Sequence, residues 1–305
     1  MKERRMVPEP EFTSYYGRPI LKEPTWKQPD VPLYLFLGGM AGASALLAEG
    51  AELSGRPALV RVARVAAAAG SGAGSALLVH DLGRPARFLN MLRVFKVTSP
   101  LSVGSWILAP FSGLAGAAAA SEVTGRLPII GRLAGLGAGA LGPALATYTA
   151  VLLADTSVPA WHEAHRELPF VFAGSGAAAA GGLAMVATPL DEAGPGRRMA
   201  MVGGVVELAA TEAMLRRIGL HAEVYQKGRP GVLLKVARAL TAVGVALTPF
   251  GRRSRLISTV AGASYLGGSV LTRFGVFQAG LASARDPKYV VVPQKDRVSR
   301  KESSS

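Results

Sequence analysis

Eight apolar stretches, each long enough for a membrane span, take up most of this chain: 32–53, 58–80, 103–122, 132–154, 168–188, 198–218, 231–249 and 256–277. The hydrocarbon core of a bilayer is about 30 Å thick, and roughly 20 apolar residues of helix cross it. Lipid offers no water to unpaired backbone groups, so a spanning segment must be a helix or a strand of a closed barrel. The stretches are runs of Ala, Leu, Gly and Val without the alternation of a barrel strand. The sequence therefore predicts an all-α polytopic membrane protein, a bundle of about eight transmembrane helices within residues 31–280. Many of the 37 glycines lie inside the apolar runs, where small residues let helices approach closely.

The flanks differ. Residues 1–30 form a polar, proline-punctuated arm without the apolar core of a signal peptide, and Tyr15, Tyr16 and Trp26 equip it to dock on a partner. Residues 281–305 are charged and read as disordered. A net charge of +14 on such a chain points to lipid headgroups rather than nucleic acid. An even number of spans puts both termini on one face. The opposite loops are short and carry Arg56, Arg126, Arg132, Arg197, Arg198, Arg252, Arg253 and Arg255. That bias predicts a cytoplasmic opposite face and termini outside. With 0 cysteines the chain cannot hold an iron–sulfur cluster through thiolates. His80, His162, His165 and His221 fall at segment ends or in loops, so no haem-ligating pair and no metal site is expected.

Charges within apolar spans are costly and often mark proton or ion paths. The candidates are Glu49, Glu52, Arg61 and Arg64 near the link between the first two segments, and Glu207, Glu212, Lys235 and Arg238 in the sixth and seventh. The first group reads either as a helix-end salt-bridge cluster or as a proton path. In the second, Glu207 or Glu212 could form a buried pair with Lys235 or Arg238. After the second segment, His80-Asp-Leu-Gly-Arg-Pro-Ala-Arg87 reads as a rigid turn in which Asp81 can pair with Arg84. It is either a salt-bridged surface loop or the wall of a headgroup or proton site.

Four motifs in order, YLFLGGMAGAS from Tyr34, DLGRPxRFxNML from Asp81, KxxSPLSVGSW from Lys96 and the run from Trp161 to Ser175, resemble the NrfD/polysulfide-reductase family of membrane subunits. The resemblance runs from about residue 26 to at least residue 188. The stretch Phe12–Pro19 looks like members that accompany formate-dehydrogenase-type enzymes. The resemblance implies an integral subunit of the cell membrane that anchors a molybdopterin (Mo/W) catalytic subunit and an iron–sulfur subunit. It implies electron exchange with a membrane quinone, menaquinone or ubiquinone, and no haem in this chain. By position in the family's pattern, the quinone pocket falls on Asp30, Tyr34 and Tyr148, where the better-known pattern has Asn and His at the first two. Asp81 and Arg84 would adjoin it. Tyr34 alternatively reads as an interfacial aromatic, and Tyr148 as an interhelical hydrogen-bond donor. Trp161 and His162 join Tyr15, Tyr16 and Trp26 as expected docking residues. A secondary transporter with a buried Glu/Arg path is the rival reading. Broken helices and inverted repeats would support it, and neither is evident.

Overall fold

The computed structural model describes residues 20–84 and 86–302, and every regular element among them is helical. The helices are α1 (Asp30–Leu53), α2 (Pro57–Asp81), α3 (Ala86–Met91), α4 (Pro100–Thr124), α5 (Pro128–Ala154), α6 (Pro159–Glu163), α7 (Leu168–Ala187), α8 (Gly194–Arg217), α9 (Ala222–Gln226), α10 (Gly228–Leu247), α11 (Arg255–Arg285) and α12 (Lys288–Glu302). The eight long ones coincide with the eight apolar stretches. Six of them, α1, α2, α4, α5, α7 and α10, are long and apolar enough to cross a membrane. The other two are as long, but α8 carries arginines at both ends and α11 carries Arg273 within it. This is a multi-pass, all-α membrane protein.

Local chemistry sets the helix ends. Proline opens α2, α4 and α5, where its missing N–H costs nothing. Ser99 and Ser254 cap α4 and α11 by accepting from Ser102 and Ile257 backbone N–H groups, each at 3.4 Å. Gly125 ends α4 in the left-handed region at φ 68°, and its N–H reaches the Ser121 carbonyl.

Short links make successive long helices antiparallel. They form two four-helix groups, α1–α2–α4–α5 and α7–α8–α10–α11. The groups meet where α1 packs on α7 and α11, and α5 on α7. The approach is close because small residues face one another. A Cβ on Gly42 of α1 would run into the Gly142 carbonyl of α5, and one on Gly142 into the Gly42 carbonyl. Packing of small residues, rather than hydrophobic exclusion from water, drives such contacts in lipid.

The start of α1 and the end of α11 lie on one face, the terminus face. There the described part of the arm, residues 20–29, touches both groups: the Lys27 N–H donates to Asp81 of α2 at 2.8 Å, and Glu23 pairs with Arg285 of α11 at 3.0 Å. The sequence predicts disorder from 281 onward, but α11 continues to Arg285 and α12 follows. Tertiary ties account for the difference. Lys288 pairs with Glu223 at 2.6 Å, and the His221 ring meets the Tyr289 carbonyl at 3.1 Å.

Candidate functional site

The first of three polar centres occupies the terminus-side half of the first helix group. Asp30 opens α1 and is buried, with Oδ2 2.6 Å from Nδ1 of His80 at the end of α2. One turn along α1, Tyr34 is 1% exposed and its ring packs beside Gly74 of α2. Its hydroxyl is buried and has no hydrogen-bond partner. Tyr148 stands six residues before the end of α5, so its depth matches that of Tyr34 to within about 3–4 Å by helical rise. Its ring occupies the space that a side chain on Gly104 of α4 would need. Both tyrosines belong to one buried cluster with Leu78, Leu108, Phe111 and Leu145. Asp30, Tyr34 and Tyr148 are thus brought to one end of one bundle. The Asp81–Arg84 pairing is not formed: Asp81 accepts from Lys27 and so fixes the arm, while Arg84 is exposed.

The second centre lies in the other helix group. Glu207 of α8 is 3% exposed and accepts from Thr272 of α11 at 2.7 Å and Thr241 of α10 at 3.4 Å. The cations suggested by sequence are not its partners. Arg238 pairs instead with Glu212 at 3.1 Å, and Lys235 is exposed. Hydroxyl donors satisfy Glu207 because α10 and α11 turn threonines inward. A cavity of about 320 Å³ leads to it, lined by Glu207, Thr211 and Thr272 and by the exposed Lys235 and Arg238. Beside it Arg273 of α11 is completely buried. Its Nε donates to the Leu35 carbonyl at 3.3 Å and its Nη2 to the Phe172 carbonyl at 2.9 Å, with the guanidinium 3.8 Å over the Phe172 ring. Arg273 therefore ties α11 to α1 and α7, and its Nη1 has no partner.

The third centre lies in the first group near the opposite face. Arg64 of α2 is buried and gathers Glu122 at 3.0 Å, Glu49 at 3.6 Å, and Glu52 in close contact. Arg132 adds a bond to Glu52 at 2.9 Å. Three carboxylates thus share two guanidiniums, and one oxygen of Glu49 is buried without a hydrogen bond. A cleft of about 410 Å³ opens onto this network past Glu52, Glu122 and Arg132. Arg61, grouped with Arg64 on sequence grounds, is exposed and stands outside the network.

Among the docking candidates, Tyr15 and Tyr16 lie outside the described residues. Trp161 is fully buried, so its ring offers no docking surface. It fills the space beside Gly280, donates to the Val276 carbonyl at 2.8 Å and stacks on Trp26 at 5.7 Å. Its role is to hold the arm. Trp26 is half-buried by that stacking, and His162 remains exposed in a groove of about 270 Å³ with His221 and Tyr289. Two carboxylates on this face, Glu223 and Glu167, are firmly paired. Hydrogen bonds from Lys227 and Lys288 hold the Glu223 carboxyl down at about 2, and the bond from Arg217 at 2.5 Å holds Glu167 below the usual carboxylate range.

Sequence reasoning missed His80 as the partner of Asp30, Glu122 as a member of the Arg64 network, and Arg273 altogether. A signal existed for Arg273, since it is a charge inside the eighth apolar stretch. The Asp30–His80 pair spans fifty residues and has no local signature.

No curated protein matches the chain. The family model for polysulphide reductase, NrfD, matches residues 23–194. That span is more than half of the chain and includes the whole first helix group, with Asp30, Tyr34, His80 and Tyr148. The chain belongs to the NrfD family of membrane subunits.

Proposed function

We propose that this chain is the quinone-exchanging subunit of an oxidoreductase complex in the cell membrane. An iron–sulfur subunit and a molybdopterin catalytic subunit dock on its terminus face, which lies outside the cytoplasm. The carrying observation is the Tyr34 hydroxyl: a buried donor without a partner, one turn from the buried Asp30, which is paired with the exposed His80. A buried polar group without a hydrogen bond costs free energy, and a quinone carbonyl is the acceptor that this donor lacks. Bound quinone supplies two-electron, two-proton redox capacity. The chain's own residues bind, orient and exchange protons. Tyr34 donates to one carbonyl oxygen. Asp30 and His80, 2.6 Å apart, hold one proton between them and can pass it on. Tyr148, packed against Gly104, would wall the quinone site from the α5 side.

Proton supply is the role of the other two centres in this reading. The Arg64 network opens toward one face and the Glu207 cavity toward the other. Glu207 lies within its helix group, the placement expected of a proton-carrying residue in a membrane, and the Arg64 carboxylates lie closer to the opposite face.

The test is purification of the chain from detergent-solubilised membranes. Co-purifying iron–sulfur and molybdenum or tungsten subunits, with quinone in the solvent extract, is the expected result. A stable chain that emerges alone and without quinone overturns the proposal and favours a transporter.

A further inference from the structure

A distinct cluster lies on the face opposite the termini. Arg56 precedes α2, and Arg197 and Arg198 sit in the first turn of α8. They converge on Gly194: a Cβ there would lie 3.8 Å from Arg56 Nη1, 3.8 Å from Arg198 Nη1 and 3.9 Å from Arg197 Nη2. Arg252, in the turn Phe250–Arg252, adds its charge to the field at Arg197. Among the described residues none of the four forms an ion pair. The nearby Glu192 carboxylate is committed to the start of α2, accepting from Ala58 N–H at 2.7 Å and Leu59 N–H at 3.3 Å.

Two of the guanidiniums are held in place rather than left to spread. Arg56 Nη1 donates to the Asp191 carbonyl at 2.7 Å and Arg197 Nη1 to the Leu190 carbonyl at 3.0 Å. Arg56 Nε is buried with no partner. Like charges fixed within a few ångströms repel one another, and an anion at their centre reverses the sign of that interaction. Guanidinium forks match phosphate oxygens in geometry. Two exposed apolar side chains adjoin the cluster in sequence, Leu53 before Arg56 and Phe250 before Arg252. A free anion uses only the arginines, whereas a phospholipid uses the arginines for its headgroup and the apolar side chains for its acyl chain. Helix ends of a membrane protein lie at headgroup depth, where basic pockets between helices bind anionic lipid.

We infer that the Arg56–Arg197–Arg198–Arg252 cluster is a binding site for the phosphate headgroup of an anionic phospholipid. The inference does not depend on the quinone reading, and its readout involves no quinone.

The test is thermal melting of the purified full chain in neutral detergent, with phosphatidylglycerol, phosphatidylcholine or inorganic phosphate added. Phosphatidylglycerol is expected to raise the melting temperature by several degrees, because a ligand of the native state stabilises it by mass action. Phosphatidylcholine and inorganic phosphate are expected to do much less. The double variant Arg197→Gln/Arg198→Gln keeps the Arg56–Asp191 bond and should lose most of the gain. Arg126→Gln, an exposed loop arginine on the same face, should keep it. Native mass spectrometry of the unmodified chain gives a second readout that needs no variant, with phosphatidylglycerol retained in preference to phosphatidylcholine. Equal shifts with the two lipids, a full shift in the double variant, an equal loss in Arg126→Gln, or a full shift with inorganic phosphate alone would each overturn the assignment.

Discussion

Removing the Tyr34 hydroxyl has opposite expected effects on stability and on quinone use. Tyr34→Phe keeps the ring against Gly74 and deletes a buried oxygen that has no protein partner. Leaving such a group unsatisfied costs about 1–3 kcal/mol, so its deletion should leave the melting temperature unchanged or raise it. If the hydroxyl donates to a quinone carbonyl, the same deletion removes one neutral hydrogen bond, a net loss of about 0.5–1.5 kcal/mol. Interhelical hydrogen bonds in lipid average about 0.6 kcal/mol, which places the expected loss toward the lower end. These values convert to a roughly 2- to 13-fold weakening of quinone binding. The assay is steady-state quinone turnover by the purified complex against quinone concentration, with a melt of the same sample. A KM for quinone that does not change would refute the assigned role. A lowered melting temperature would refute the premise that the hydroxyl lacks a protein partner.

Three further perturbations follow from the packing and the charges. Gly104→Ala puts a methyl where the Tyr148 ring lies, so it should cost about 1–3 kcal/mol of stability and raise the quinone KM, read by the same melt and turnover assays. Arg64→Met leaves Glu49, Glu52 and Glu122 facing only Arg132; breaking a buried pair costs about 3 kcal/mol or more, and adding Glu49→Gln should recover part of the lost melting temperature. Glu223 has its carboxyl held down to about 2 in the folded chain, so its tie to α12 is fully present above the ordinary carboxylate value of 4.5 and is lost as pH falls toward 2. Hydrogen exchange in α12 should accelerate across that window in wild type, and Glu223→Gln should show fast exchange already at neutral pH.

The long helices were legible because apolar length is a local property and membrane thickness fixes it. The same logic overlooked α12, whose residues are polar and whose order comes from Glu223 and His221, more than sixty residues away. Asp30 and Tyr34 could be placed on one helix face by spacing alone. Their real surroundings, His80 and Gly74, come from α2 and needed the tertiary fold. Trp161 reads as a docking residue in sequence, yet Gly280 makes room for it in the core. Glu207 was visible as a buried charge, but its threonine partners on α10 and α11 carry no charge to mark them.

The most direct test of the quinone pocket is photo-crosslinking of the intact complex with a photoreactive quinone, followed by peptide mapping. The account predicts labelled peptides from the start of α1 around Asp30–Tyr34 and the end of α5 around Tyr148, with labelling suppressed by excess native quinone. Label confined to the walls of the Glu207 cavity, or label that native quinone does not displace, would contradict it.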